Sequence, residues 1–157
     1  MKITAQDEYG LRILLRIAQA DPDAGLSIPQ LSEIEGLSNS YTAKLTRTLR
    51  MAGLISSTRG HKGGYVLSRQ PEEIKIKEVI ESLGGNLFDS SFCNRHAGAL
   101  KMCTNSVNCS IRSLWRMVQL AVDQVLERVT LQDLMTSEDD SATTLQKILE
   151  ENFRIEV

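Results

Sequence analysis

Three cysteines, Cys93, Cys103 and Cys109, have the clearest capacity for chemistry, and they fall within 17 residues of a chain that has no other cysteine. Their spacing is C-x9-C-x5-C. Thiolates are soft ligands that suit iron–sulfur clusters and zinc. An odd count of cysteines in a chain without an export signal argues against a disulfide framework. Three thiolates supply one fewer than the usual four ligands, so a further donor is required. His96 makes a local C-x2-H with Cys93. Asp7 or Glu8 would also reach the site if the first helix, or a partner subunit, lies beside the cysteines. With His96 the set also reads as a structural zinc site.

The second concentration is of charge. Residues 1–70 carry a net +3 and residues 71–157 a net −5, for a total of −2. From Leu37 to Gln70 there is no acidic residue, whereas Lys44, Arg47, Arg50, Arg59, Lys62 and Arg69 lie there. A basic stretch within an acidic chain is what a localised polyanion contact would look like.

The elements that must position these groups follow from periodicity and punctuation. Residues 5–19 read as an amphipathic helix capped by Thr4. Ser27 to Gln30 forms a capping box with Pro29 in the first turn, opening a short helix that ends at Gly36. Ser38 caps a second helix from Asn39 to Ala52, with Gly53 as its stop. Two short helices across Gly36-Leu37-Ser38 have the length of a helix-turn-helix. The runs Leu54–Thr58 and Tyr65–Ser68 flank a glycine-rich basic tip and predict a hairpin. Helix, turn, helix, hairpin is the order of a winged helix, and the expected fold class is mainly α with a small β-hairpin plus a long dimerisation helix.

The start and outer face of the second helix present Asn39, Ser40, Tyr41, Thr42, Lys44, Arg47 and Arg50. Short polar side chains there suit base edges in the major groove, and cations suit phosphates; Tyr41 reads equally as packing. Arg59, His61 and Lys62 in the tip suit a narrow minor groove. The tip lacks the ending of a nucleotide-binding loop. Lys75 to Leu83 predicts a further helix, and residues 86–109 an irregular binding loop. Ser110 to about Arg128 is the longest helix, whose wide apolar stripe predicts pairing with a twofold copy. Thr130 caps a short helix from Leu131 to Met135. Residues 137–141 read as a linker opening an acidic tail over 136–157. The expected organisation is therefore a DNA-binding domain over 1–85, a cluster loop over 86–109, dimerisation elements over 110–135 and the tail.

Hydrophobic residues make up 41 % and charged residues 24 % of 157, which are globular values. No run of about 18 apolar residues occurs, so no membrane span is expected. Charges at Asp7, Glu8, Arg12 and Arg16 interrupt any signal-like core, so a cytosolic location is expected. No nucleophile, base and orienting group form a catalytic constellation, and an enzyme is not expected.

The stretches MKITAQDEYGLRILLRIA and SIPQLSEIEGLSNSYTAKLTRTLRMAGLISSTRGHKGGYVLSR, the cysteine loop and the terminal TLQDLM together resemble the IscR/NsrR family of winged-helix transcription regulators over about residues 1–135. The resemblance implies a homodimer that binds double-stranded DNA at a pseudo-palindromic operator, with an iron–sulfur cluster, [2Fe-2S] or [4Fe-4S], tuning operator affinity. It assigns Cys93, Cys103 and Cys109 as ligands. The family usually places about five residues between the first two cysteines, where this chain has nine, and Arg112 stands where some members have a ligating histidine. Other members use an N-terminal acidic residue, and Glu8, before Tyr9, occupies the matching place. The resemblance therefore favours Glu8, donated across the dimer, over His96 and Asp7.

Overall fold

The computed structural model describes residues 3–58, 63–86, 88, 92–97, 99, 102–103, 105 and 107–152. The first helix, α1 (Ala5–Gln19), starts where expected because Thr4 and Asp7 close a capping box. Asp7 N donates to Thr4 Oγ1 at 3.2 Å, and Thr4 N and Oγ1 donate to Asp7 Oδ2 at 2.9 and 2.7 Å. Helix α2 (Ile28–Glu35) opens with Ser27 N and Oγ donating to Gln30 Oε1. It stops at Gly36, whose φ of +66° is a left-handed conformation natural to glycine. Ser38 Oγ then accepts from Tyr41 N at 3.3 Å and opens α3 (Asn39–Met51).

Strands β1 (Ile55–Ser57) and β2 (Tyr65–Leu67) pair antiparallel, with Ile55 opposite Leu67 and Ser57 opposite Tyr65. Tyr65 also exchanges two backbone hydrogen bonds with Leu26, which fixes the hairpin base to the segment before α2. Gly64 permits this approach, since a Cβ there would come within 2.7 Å of Leu26 N. Helix α4 (Ile76–Leu83) follows and lies close against α1, where Gly10 faces Leu83 with no room for a methyl group.

One core joins these elements. Ile13, Leu14 and Ile17 of α1, Leu31 of α2, Leu45 and Leu49 of α3, Ile55 of β1, and Ile76, Val79 and Leu83 of α4 are all buried in it. Apolar positions three and four residues apart along each helix make that shared interior, and its burial from water holds the unit together.

Beyond Gly85 the chain leaves this core and later returns to it. Ile76 N donates to Val129 O, and Leu131 N donates to Ile74 O, both at 2.9 Å, so Val129 and Leu131 are buried beside α4. Lys77 Nζ meets Glu127 Oε2 at 3.1 Å at the same junction. The hydrogen bond and negative charge of Glu127 raise Lys77 above the ordinary lysine value of 10.5. The excursion holds α5 (Phe92–Arg95) and α6 (Ser110–Leu126), and α6 has no buried residue. The loop expected over 86–109 thus contains one helical turn. Phe88, Phe92 and His96, four residues apart, line up beside it, with His96 stacked on Phe92 and Phe88 tilted against Phe92 at 45°.

The stretch 137–141, expected as a linker, instead opens α7 (Glu138–Asn152). Ser137 Oγ accepts from Asp140 N at 3.2 Å and donates to Asp140 Oδ2 at 2.7 Å. The acidic run that resembled a solvated linker occupies a helix N-terminus, where negative side chains are favoured. Leu145 and Ile148 of α7 pack against the edge of the core. Among the described residues no helix is long and apolar enough to cross a membrane.

Candidate nucleic-acid interface and cysteine region

On α3, Asn39, Ser40, Lys44, Arg47 and Arg50 are exposed. Helical spacing puts them on one side, with the polar residues at the N-terminal end and the cations behind. Tyr41 is half-buried and meets Tyr9 of α1 edge-on, with ring centroids 6.2 Å apart. Thr42 corrects an expectation. It is fully buried and its Oγ1 accepts from Ser32 Oγ at 2.9 Å, so it joins α3 to α2 and does not face DNA. The phase of Leu45 and Leu49 carried that signal, since Thr42 shares their side of the helix. Arg59, His61 and Lys62 lie outside the described residues.

Sequence reasoning missed a second cationic group. Glu35 has a fully buried side chain, and its two carboxylate oxygens accept from Arg12 Nε and Arg16 Nε, each at 2.6 Å. The available signal was Glu35 on the otherwise buried side of α2, with two arginines one turn apart on α1.

All three thiols are free and half-buried. Cys93 lies in α5, and Cys109 is the N-cap of α6, its Sγ accepting from Arg112 N at 3.4 Å. His96 is exposed and stacked on Phe92 at 4.2 Å, with Nδ1 2.9 Å from Phe92 O. Asp7 is buried; Oδ2 serves the α1 cap, while Oδ1 is withdrawn from water without a hydrogen-bond partner. Gly85 lies over it, and a Cβ there would sit 2.8 Å from Asp7 Oδ1. Glu8 is exposed and lines a cavity of about 290 Å³ between α1, α4 and α6, together with Leu11, Ile80, Gln119 and Val122.

Among the described residues, no three His, Cys, Asp or Glu side chains of this one chain converge closely enough to hold a metal ion. Three accessible thiols nevertheless form a soft donor set, suited in type to an iron–sulfur centre.

The Rrf2 profile, described as an iron-dependent transcriptional regulator, matches residues 3–137. The chain belongs to the Rrf2 family. The match spans α1 to the return of the excursion and stops where α7 begins. An Rrf2 relative, the HTH-type transcriptional regulator NsrR of Shouchella clausii, is 33 % identical over 146 residues, covering 93 % of this chain and 96 % of that protein. The structure of IscR from T. potens superimposes with a TM-score of 0.66 at 31 % identity, covering 86 % of each chain. That of CymR, the global cysteine regulator of B. subtilis, gives 0.66 at 30 %, covering 86 % of this chain and 96 % of that one. The winged helix-turn-helix seen here is thus that of the Rrf2 regulators. The protein is a DNA-binding transcriptional regulator, and its relatives are regulators and not enzymes.

Proposed function

We propose that the protein is a homodimer whose grip on a pseudo-palindromic operator is set by an iron–sulfur cluster, held by Cys93, Cys103 and Cys109 of one copy and Glu8 of the other. The observation that carries this reading is the state of α6. The helix whose N-cap is Cys109 exposes Ile111, Leu114, Trp115, Met117 and Leu120, a row that one chain leaves uncovered. Water-exposed apolar rows of this size mark association surfaces, and a twofold copy is the self-complementary solution.

The position of Glu8 supports donation across that dimer. Glu8 shares a cavity with Gln119, ten residues along α6 from Cys109. At 1.5 Å per residue this is about 15 Å of helix. Among the described residues of one chain Glu8 and Cys109 belong to no group of three potential ligands, whereas a second α6 crossing the first would bring its own Cys109 towards Glu8.

A bound cluster supplies a centre whose integrity and oxidation state respond to redox conditions, nitric oxide or iron–sulfur supply. The protein's own residues do the rest. Cys109 caps α6, so a bond pulling on its sulfur acts on the dimer helix. Glu8 lies one residue before Tyr9, which touches Tyr41 at the start of α3. Cys109 and Glu8, if they held the cluster, would tie it to the elements that set the separation of two reading helices, and half-sites about 34–36 Å apart demand a matching separation.

Protein purified and reconstituted without air should contain iron and acid-labile sulfide and absorb in the visible. The Glu8→Ala variant should alter that spectrum and weaken the dependence of DNA binding on cluster state. Colourless protein that retains stoichiometric zinc would replace this reading with a zinc-stabilised module in which His96 is the fourth ligand.

A further inference from the structure

Burying a carboxylate is costly unless it is fully paired. Glu35 accepts one hydrogen bond on each oxygen from two arginines, and its side chain is wholly withdrawn from solvent. One arginine would have sufficed to pair the charge and strap α1 to α2. Instead two are held, and their side chains remain 44 % and 47 % exposed.

Each uses only its Nε towards Glu35, and no other hydrogen bond from either guanidinium occurs among the described residues. A guanidinium has five N–H donors in a planar fork. The outer edge of each fork is therefore free to bind an anion, and the three groups together carry a net charge of +1.

The location is specific. The Arg12 guanidinium lies 5.5 Å from the centre of the Tyr9 ring, and Tyr9 meets Tyr41 in the first turn of α3. Glu35 is the last residue of α2, beside the turn into α3. Two oriented forks thus sit next to the end of the helix that reads DNA, on an element outside the helix-turn-helix itself.

We propose that Arg12 and Arg16 clamp phosphates of the DNA backbone beside the groove entered by α3, with Glu35 as the positioning residue that aims both. Planar forks match phosphate oxygens, and such contacts fix orientation without reading sequence. The proposal rests on the DNA-binding reading and is independent of the cluster.

The test measures binding to a random-sequence duplex of about 30 base pairs by fluorescence anisotropy across a salt series. Phosphate contacts contribute equally on any sequence, and each adds about 0.9 to the slope of log affinity against log salt. Arg12→Gln and Arg16→Gln should each weaken binding by roughly three- to tenfold at about 0.1 M salt and lower the slope by about 0.9. Lys147→Gln, the same charge change on α7, should leave the slope unchanged.

Glu35→Gln is the decisive variant, because it removes a negative charge. General electrostatics predicts tighter binding, whereas loss of the aimed arginines predicts weaker binding. Folding of each variant is checked by circular dichroism at the assay temperature. Wild-type slopes in folded Arg12→Gln and Arg16→Gln, or tighter binding by folded Glu35→Gln, would overturn the clamp. Failure of the wild type to bind any duplex would overturn DNA binding itself.

Discussion

The unit from α1 to α4 and the excursion from Phe88 to Leu126 are built on opposite terms. The first buries Ile13, Leu14, Leu31, Leu45, Leu49 and Val79 completely, and its helices end on caps formed within the chain. The second has a four-residue helix and a seventeen-residue helix, neither with a buried residue. A DNA-reading surface must keep one geometry and so is held by its own core. On the proposed reading, the second region would draw its stability from what binds to it, a second copy and an inorganic centre. Binding to the folded form alone stabilises it by mass action.

The sharpest way to test this contrast is to damage each region by its own logic. Leu45→Ala removes fully buried side-chain volume from the reading unit and should cost about 2–5 kcal/mol in urea denaturation. The paired change Met117→Glu and Leu120→Glu lies on exposed α6 positions. It should keep the circular dichroism of the reading unit while sedimentation shifts from dimer to monomer. A wild-type sedimentation profile for that variant would show that α6 is not where the copies meet.

A substitution at the junction should give an intermediate effect. Gly85→Ala would place a methyl group 2.6 Å from Ile80 Cγ2 and 2.8 Å from Asp7 Oδ1, and overpacking of this kind should cost about 1–3 kcal/mol. Cys109→Ser separates the two regions more finely. Serine is a favoured N-cap, so the metal-free protein should melt within about 0.5 kcal/mol of wild type, while bound iron and visible absorption fall.

The smallest effect concerns Lys77, whose Glu127 partner raises its ionisation above 10.5. A raised folded-state value means that the contribution is fully present below the unfolded lysine value. It fades as pH rises through the folded one. Lys77→Gln should therefore shift melting slightly at pH 8 to 9, less in high salt because the pair is partly exposed, and progressively less as pH rises above 10.5.

How much of this was legible in the sequence depended on how local each signal is. Thr4 with Asp7, Ser27 with Gln30, and Ser38 mark helix starts through contacts within three residues, and the helices begin there. Thr42 was misjudged because a polar side chain at the front of a basic helix resembles a DNA contact. Its burial depends on Ser32, ten residues away. Ser137 with Asp140 is the same kind of cap as Thr4 with Asp7, but the acidic run around it imitated a linker. The bracket of Glu35 by Arg12 and Arg16 spans about twenty residues and leaves no mark in composition. The proposed ligand set was legible only as chemistry, since thiols at Cys93, Cys103 and Cys109 declare softness but not which further group would complete a site.

The backbone hydrogen bonds that join Ile76 to Val129 and Ile74 to Leu131 make the cysteine segment and α6 a closed detour from a structure whose ends stay put. Lengthening such a detour costs only the logarithm of its size. Four extra residues between the first two cysteines, in a connection of about 24 between Gly85 and α6, amount to about 0.2 kcal/mol. Insertions between the cysteines are therefore almost free of energetic penalty and leave the DNA-reading scaffold untouched.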